Sequence, residues 1–139
     1  MRWVLGATVV LLALLTVIDR LRLKRIREKR KDESICTFAR SLPARDHDTW
    51  VVRAVYEEVS RHVQAPIRPS DDIVRFWGFH DEDLDDAAVR IAHRAGRSMS
   101  DTDKNPLYGK VRTAADMIAF LEHQPKLPTH PAETAGPGG

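Results

Sequence analysis

The densest group of residues able to do chemistry runs from His80 to Asp86, where one histidine precedes five acids interrupted only by Leu84. Clustered carboxylates bind hard cations, transfer protons or dock cationic partners. A calcium loop of the EF-hand type is excluded by register. With ligands at Asp81, Asp83 and Asp85, the glycine that loop needs falls on Asp86 and its closing glutamate on Ala92. Carboxylates in the first turn of a helix also meet the positive end of its dipole, so capping and solvation account for the cluster without any ligand. The functional alternative is a partner-docking surface made by Glu82, Asp83, Asp85 and Asp86.

Other chemistry finds less support. Of the six histidines, none pairs with another histidine or with the one cysteine at ligand spacing on a helix face, so no metal site is expected. Ser60, Ser70, Ser98 and Ser100 sit in no strand–turn–helix motif and beside no obvious base, so no catalytic residue is assigned. A glycine-rich phosphate loop is missing, and no cofactor is expected. Cys36 cannot form an internal disulfide and is expected to pack as a small apolar residue. The turn-prone stretch 105–110 (NPLYGK) reads as a cover over a core.

The elements that must position these groups are helical. Residues 32–44 suggest a short helix or linker capped by Asp32, with Ile35, Phe38, Ala39 and Leu42 as a partial apolar stripe and Pro43 as its stop. A confident helix follows, capped by Asp46 or Asp48, with Val51, Val52, Val55, Val59 and Val63 at helical spacing beside Trp50 and Ala54. After Pro66 and Pro69, Ile73, Phe76 and Trp77 form a turn plugged into the core, and Gly78 permits a reversal. A further helix starts near Asp81, runs through Leu84, Ala87, Ala88, Ile91 and Ala95, and ends at Gly96. The last opens at Thr113 with Asp116 three residues on, a capping box, and offers Met117, Ile118, Phe120 and Leu121 to the core. No segment alternates with period two long enough to build a sheet. The fold class is therefore all-α, a three- to four-helix bundle over 46–124 followed by a Pro/Gly-rich, disordered tail at 125–139.

The N-terminal segment is of another kind. Residues 3–18 (WVLGATVVLLALLTVI) carry no charge, and ten of the sixteen are Leu, Val or Ile. At about −0.3 to −0.6 kcal/mol each, those ten favour membrane insertion by roughly 3–6 kcal/mol. A cleaved signal peptide has a similar apolar length. Here, however, only Met1 and Arg2 precede the apolar run, and no small-x-small cleavage site follows Leu15. A dense basic run follows instead, so residues 1–23 read as a transmembrane anchor and 24–45 as a basic stalk and linker. Between Asp19 and Lys31 there are eight Lys/Arg against two acids, a net of +6, whereas 13 basic and 18 acidic residues from Asp32 onward give −5. The positive-inside bias puts the C-terminal domain in the cytoplasm of a single-pass protein. Arg20, Arg22, Lys24, Arg25 and Arg27 form the surface that meets lipid headgroups. The acidic domain is unsuited to nucleic acid.

Three motifs, in order, carry a family resemblance: Ile73, Val74, Arg75, Phe76, Trp77 and Gly78 as an apolar turn; Glu82, Asp83, Leu84 and Asp85 at a helix start; and Thr113, Ala114, Ala115, Asp116, Met117 and Ile118 at the last helix start. Over about residues 48–122 the chain resembles acyl carrier proteins. The resemblance implies a small helical bundle whose acidic second helix docks basic patches on enzymes. The serine that takes the phosphopantetheine arm in that family is matched by Asp83, which has no hydroxyl to esterify. The resemblance thus implies a carrier-like module without its prosthetic arm, a non-catalytic, membrane-anchored interaction module with a basic protein partner. A small membrane-bound metal-dependent hydrolase and a structural subunit of a membrane complex are the alternatives.

Overall fold

The computed structural model describes residues 1–128, apart from the side chain of Arg2. Among the described residues it is all-helical, with isolated bridges pairing Asp72 with Thr113 and Arg97 with Lys126 in place of any sheet. The chain divides into two units, Met1–Glu33 and Ser34 onward.

The first unit is one continuous helix, α1 (Arg2–Lys29). Its apolar part is exposed on all sides, and the stretch Trp3–Lys29 is long and apolar enough to cross a membrane. The two hydroxyls in that part are satisfied within the helix, as a hydrocarbon environment demands. Thr8 donates to the Val4 carbonyl at 2.8 Å and Thr16 to the Leu12 carbonyl at 2.6 Å.

The second unit is organised around α3. Short α2 (Ile35–Arg40) precedes α3 (Thr49–Val63), which packs against α2, against α4 (Asp81–Ala95) and against α5 (Ala114–His123). Val51, Val55 and Val59 are fully buried, and Val52 and Val63 nearly so, as their spacing requires. Opposite them lie Ile91 and Ala92 of α4 and Met117, Ile118 and Leu121 of α5. Each complete burial of a side chain of this size stabilises the fold by about 1.5–3 kcal/mol.

Local chemistry sets the helix ends. Asp48 caps α3 by accepting from the Trp50 amide at 2.9 Å. Gly96 ends α4 in the left-handed region at φ 64°, and Gln64, not a glycine, does the same for α3 at φ 56°. The Thr113–Asp116 capping box forms in both directions, at 3.1 and 2.9 Å, and opens α5.

Several expectations need correction. Ser34, not Asp32, is the N-cap of α2, because the Thr37 hydroxyl accepts from the Ser34 amide at 2.7 Å. Phe38 and Leu42, four residues apart, face α3, and Phe38 packs on Tyr56 at 5.2 Å between ring centroids. Cys36 lies two residues before Phe38, about 200° around the helix, so it is exposed and does not pack. Ala39 is exposed for a related reason. In the turn after Pro69, Ile73 is buried but Phe76 and Trp77 are only half-buried, their edge-to-face contact closing the surface. Phe79 is the aromatic that reaches the core. The residues expected as stalk and linker are divided, those to Glu33 belonging with α1 and those from Ser34 with the bundle. The tail expected from residue 125 starts as ordered chain. The Ser98 amide donates to the Pro125 carbonyl and the Leu127 amide to the Gly96 carbonyl, both at 2.8 Å. Residues 129–139 of that tail lie outside the described residues.

Candidate functional site

Three acids of the bundle, Asp48, Glu57 and Glu58, are paired with its own arginines. Glu57 and Glu58 on α3 face Arg90 and Arg94 on α4, and Arg53 and Arg61 complete the group from α3 itself. Hydrogen bonds from Arg53 and Arg94 hold the Glu57 carboxyl below its ordinary range. Burial pushes the Glu58 carboxyl up, but the bonds and charges of Arg90 and Arg61 outweigh it and leave the group depressed. Glu58 is 3% exposed, so this network is the polar seam of the α3–α4 contact.

A second polar knot ties the start of α3 to the ends of α4 and α5. Arg97, 8% exposed, donates to the Asp48 carboxylate and to the Gln124 and Glu122 carbonyls at 3.0 and 3.3 Å. Burial raises the Asp48 carboxyl, and the bonds from Arg97 and the Trp50 amide more than reverse this, leaving it lowered. Glu122 accepts from the Asp48 amide at 2.8 Å and lies 2.9 Å from Nδ1 of His47. Gln124 donates to the Ser98 and Ser100 carbonyls, and Asn105 donates to the Phe120 carbonyl and to the Gln124 side chain. The stretch 105–110 is thus anchored through Asn105, while its Tyr108 stands exposed.

A histidine held by a carboxylate supplies two of the three members of a nucleophile-activating triad. In the His47–Glu122 pair, however, Nε2 is buried and bonds to no hydroxyl or thiol, so the pair is built to brace the bundle. Of the serines considered, Ser60 reaches only the Glu57 carbonyl, and the Ser98 and Ser100 hydroxyls bond one another at 2.7 Å. Among the described residues no group of three or more His, Cys, Asp or Glu side chains converges as metal ligands would.

The acids at the start of α4 are arranged differently. Asp81, Glu82, Asp85 and Asp86 are exposed, and no cation among the described residues pairs with them; Asp81 and Glu82 supply the dipole complement expected of a first turn, and Asp85 and Asp86 lie just beyond it. Asp83 is separate from this set. Its carboxylate is half-buried and accepts from the His80 amide at 3.0 Å, so Asp83 serves as a capping group. Glu82 and Asp86, one turn apart, form a ridge that Val89, 54% exposed, continues.

Asp81 and Asp85 form the adjacent ridge and rim a cleft of about 380 Å³ between α4, the 99–111 loop and α5. Its floor is Ala88, Met117 and Phe120, its walls include Leu84, Met99 and Val111, and no basic side chain lines it. Apolar clefts of this size with a few polar groups at the rim suit an anchoring side chain or a small ligand.

On α1, Arg20, Arg22, Lys24, Arg25 and Arg27 are all exposed on the helix that continues the apolar segment. Compared with protein-family models, with curated proteins and with solved structures, the chain finds no match.

Proposed function

We propose that the chain is a membrane-tethered, non-catalytic interaction module that docks a basic protein partner through the first two turns of α4. One observation carries this reading. Asp48, Glu57 and Glu58 are paired with arginines of the bundle, whereas Asp81, Glu82, Asp85 and Asp86 are exposed and unpaired beside an apolar cleft. Unpaired carboxylates steer a cationic partner and set its register, and an adjacent cleft supplies apolar contact area. In this reading α1 is a single-pass anchor with the bundle in the cytoplasm, and Arg20, Arg22, Lys24, Arg25 and Arg27 rest among anionic headgroups.

The order of elements supports a carrier-like relationship: a long first helix, an apolar turn ending in Gly78, an acidic helix, and a final helix opened by Thr113 and Asp116. Asp83 in place of the arm-bearing serine makes it a carrier shape used for docking alone.

Affinity capture from membranes tests the proposal. A partner held by the wild-type chain should be lost with Glu82→Lys and Asp86→Lys combined, and retained with Asp101→Lys and Asp103→Lys, which place an equal change of charge on the 97–111 loop. Equal capture by both variants would overturn it.

A further inference from the structure

The uncharged part of α1 is bounded by Arg2 and Asp19 and is sixteen residues long. In the continuous helix it measures about 24 Å, whereas an average hydrocarbon core is about 30 Å thick. Three accommodations would let such a segment serve an average bilayer, and the structure speaks against each. Tilting shortens the reach further. Lying in the interface requires a polar face opposite an apolar one, but residues 3–18 are apolar all round, their only hydroxyls folded back onto the helix. Snorkelling lets Arg20 and Arg22 follow Leu21 and Leu23 toward the hydrocarbon, but Asp19 has too short a side chain to reach back to the surface.

The basic residues beyond Asp19 point the same way. Arg20, Lys24 and Arg27 lie on one side of α1, and Arg22, Arg25 and Lys29 on the opposite side, about 170° away. Cations on opposite sides suit a helix standing upright through a headgroup layer, where every direction meets phosphate. They do not suit one lying flat on it.

We infer that α1 is fitted to a thin bilayer, with a hydrocarbon core near 24 Å and Asp19 marking its boundary. This rests on the anchor reading above and specifies the lipid it selects. Sorting by thickness then becomes a property of residues 3–19, independent of what the bundle binds.

The test reconstitutes the full chain in vesicles of myristoleoyl, oleoyl or erucoyl phosphatidylcholine, each with the same fraction of phosphatidylglycerol. Quenching of Trp3, which is fully exposed on α1, by brominated lipid gives relative lipid affinities. Trp50 and Trp77 add a background measured with Trp3→Phe. The myristoleoyl lipid should bind roughly three- to tenfold more tightly than the erucoyl lipid. Asp19→Leu with Arg20→Leu lengthens the uncharged run to about 28 Å and should move the optimum to the oleoyl lipid. A wild-type optimum at oleoyl or longer, a flat profile, or an optimum that the double variant leaves in place would overturn the inference. Alkaline extraction is the separate control. A chain that stays in the pellet with the wrong optimum defeats only the thickness claim, whereas release into the supernatant defeats the anchor reading with it.

Discussion

Replacing Arg97 by methionine removes the one cation buried in the knot that joins α3, α4 and α5. The substitution roughly preserves volume, so its effect is mainly polar. The Asp48 carboxylate is left with the Trp50 amide and with Lys126, whose ammonium is 3.8 Å away and itself exposed, and the Gln124 and Glu122 carbonyls lose a donor. Removing one partner of a fully buried ion pair costs about 3–5 kcal/mol. Asp48 keeps 17% of its side chain in contact with solvent, so water offsets part of this, and the expected loss is about 3 kcal/mol. For a unit of this size that lowers the melting midpoint by about 12–24 °C. Urea unfolding of the full chain in detergent micelles, followed by tryptophan fluorescence, measures it. Asp48→Asn keeps a good helix cap but strands the arginine. Combined with Arg97→Met it should cost less than the two changes added, with a coupling of about 2 kcal/mol. A loss below about 0.5 kcal/mol for Arg97→Met, or strict additivity in the cycle, would refute the view that this knot holds the helix ends together.

Acid should loosen the same contacts. Asp48, Glu57 and Glu58 have lowered folded-state values against ordinary ones of 3.8, 4.5 and 4.5, so their contribution is present above those ordinary values and is lost as pH falls through the lowered ones. Thermal midpoints should thus hold steady near neutrality and fall below about pH 4, and a midpoint that rises on acidification would contradict the pairing. Gly78→Ala meets nothing within 4 Å but keeps φ at +73°, so it should destabilise by about 1 kcal/mol through backbone conformation alone. A neutral result in urea unfolding would mean that the turn can relax. Incubation with coenzyme A and a phosphopantetheinyl transferase of broad specificity should leave the intact mass unchanged. An added arm on any serine would overturn the armless reading.

What was legible in the sequence was local. Asp48, Gly96 and the Thr113–Asp116 box announce their helix ends because each cap is made within four residues, and the valines of α3 declare their face by period. The polar knot was not legible, since Arg97 bonds residues 25 to 49 positions away and Glu122 meets His47 across 75. Glu58 did leave a trace: it falls seven residues after Val51 on the apolar side of α3, where an acid demands a cation, and Arg90 and Arg94 stand one turn apart on α4. Phe79 was obscured by its neighbours, because in an aromatic run of Phe76, Trp77 and Phe79 only the path of the turn decides which ring is enclosed. The split among the α4 acids also needed geometry, as nothing in five clustered carboxylates singles out Asp83 as the one bound to the backbone.

The central claim is that the unpaired acids of α4 dock a basic protein, and a photo-crosslinker at Val89 reads it most directly. That residue is exposed, one turn beyond Asp86 on the same ridge, and bears no charge of its own. In intact membranes the crosslinker should capture a discrete protein, joined through a Lys/Arg-rich segment. Its yield should fall with added salt and vanish when Glu82, Asp85 and Asp86 are reversed to lysine, while the melting midpoint falls only by the few degrees that losing a first-turn carboxylate costs. A crosslink of the same yield in the reversed variant and at high salt would contradict it.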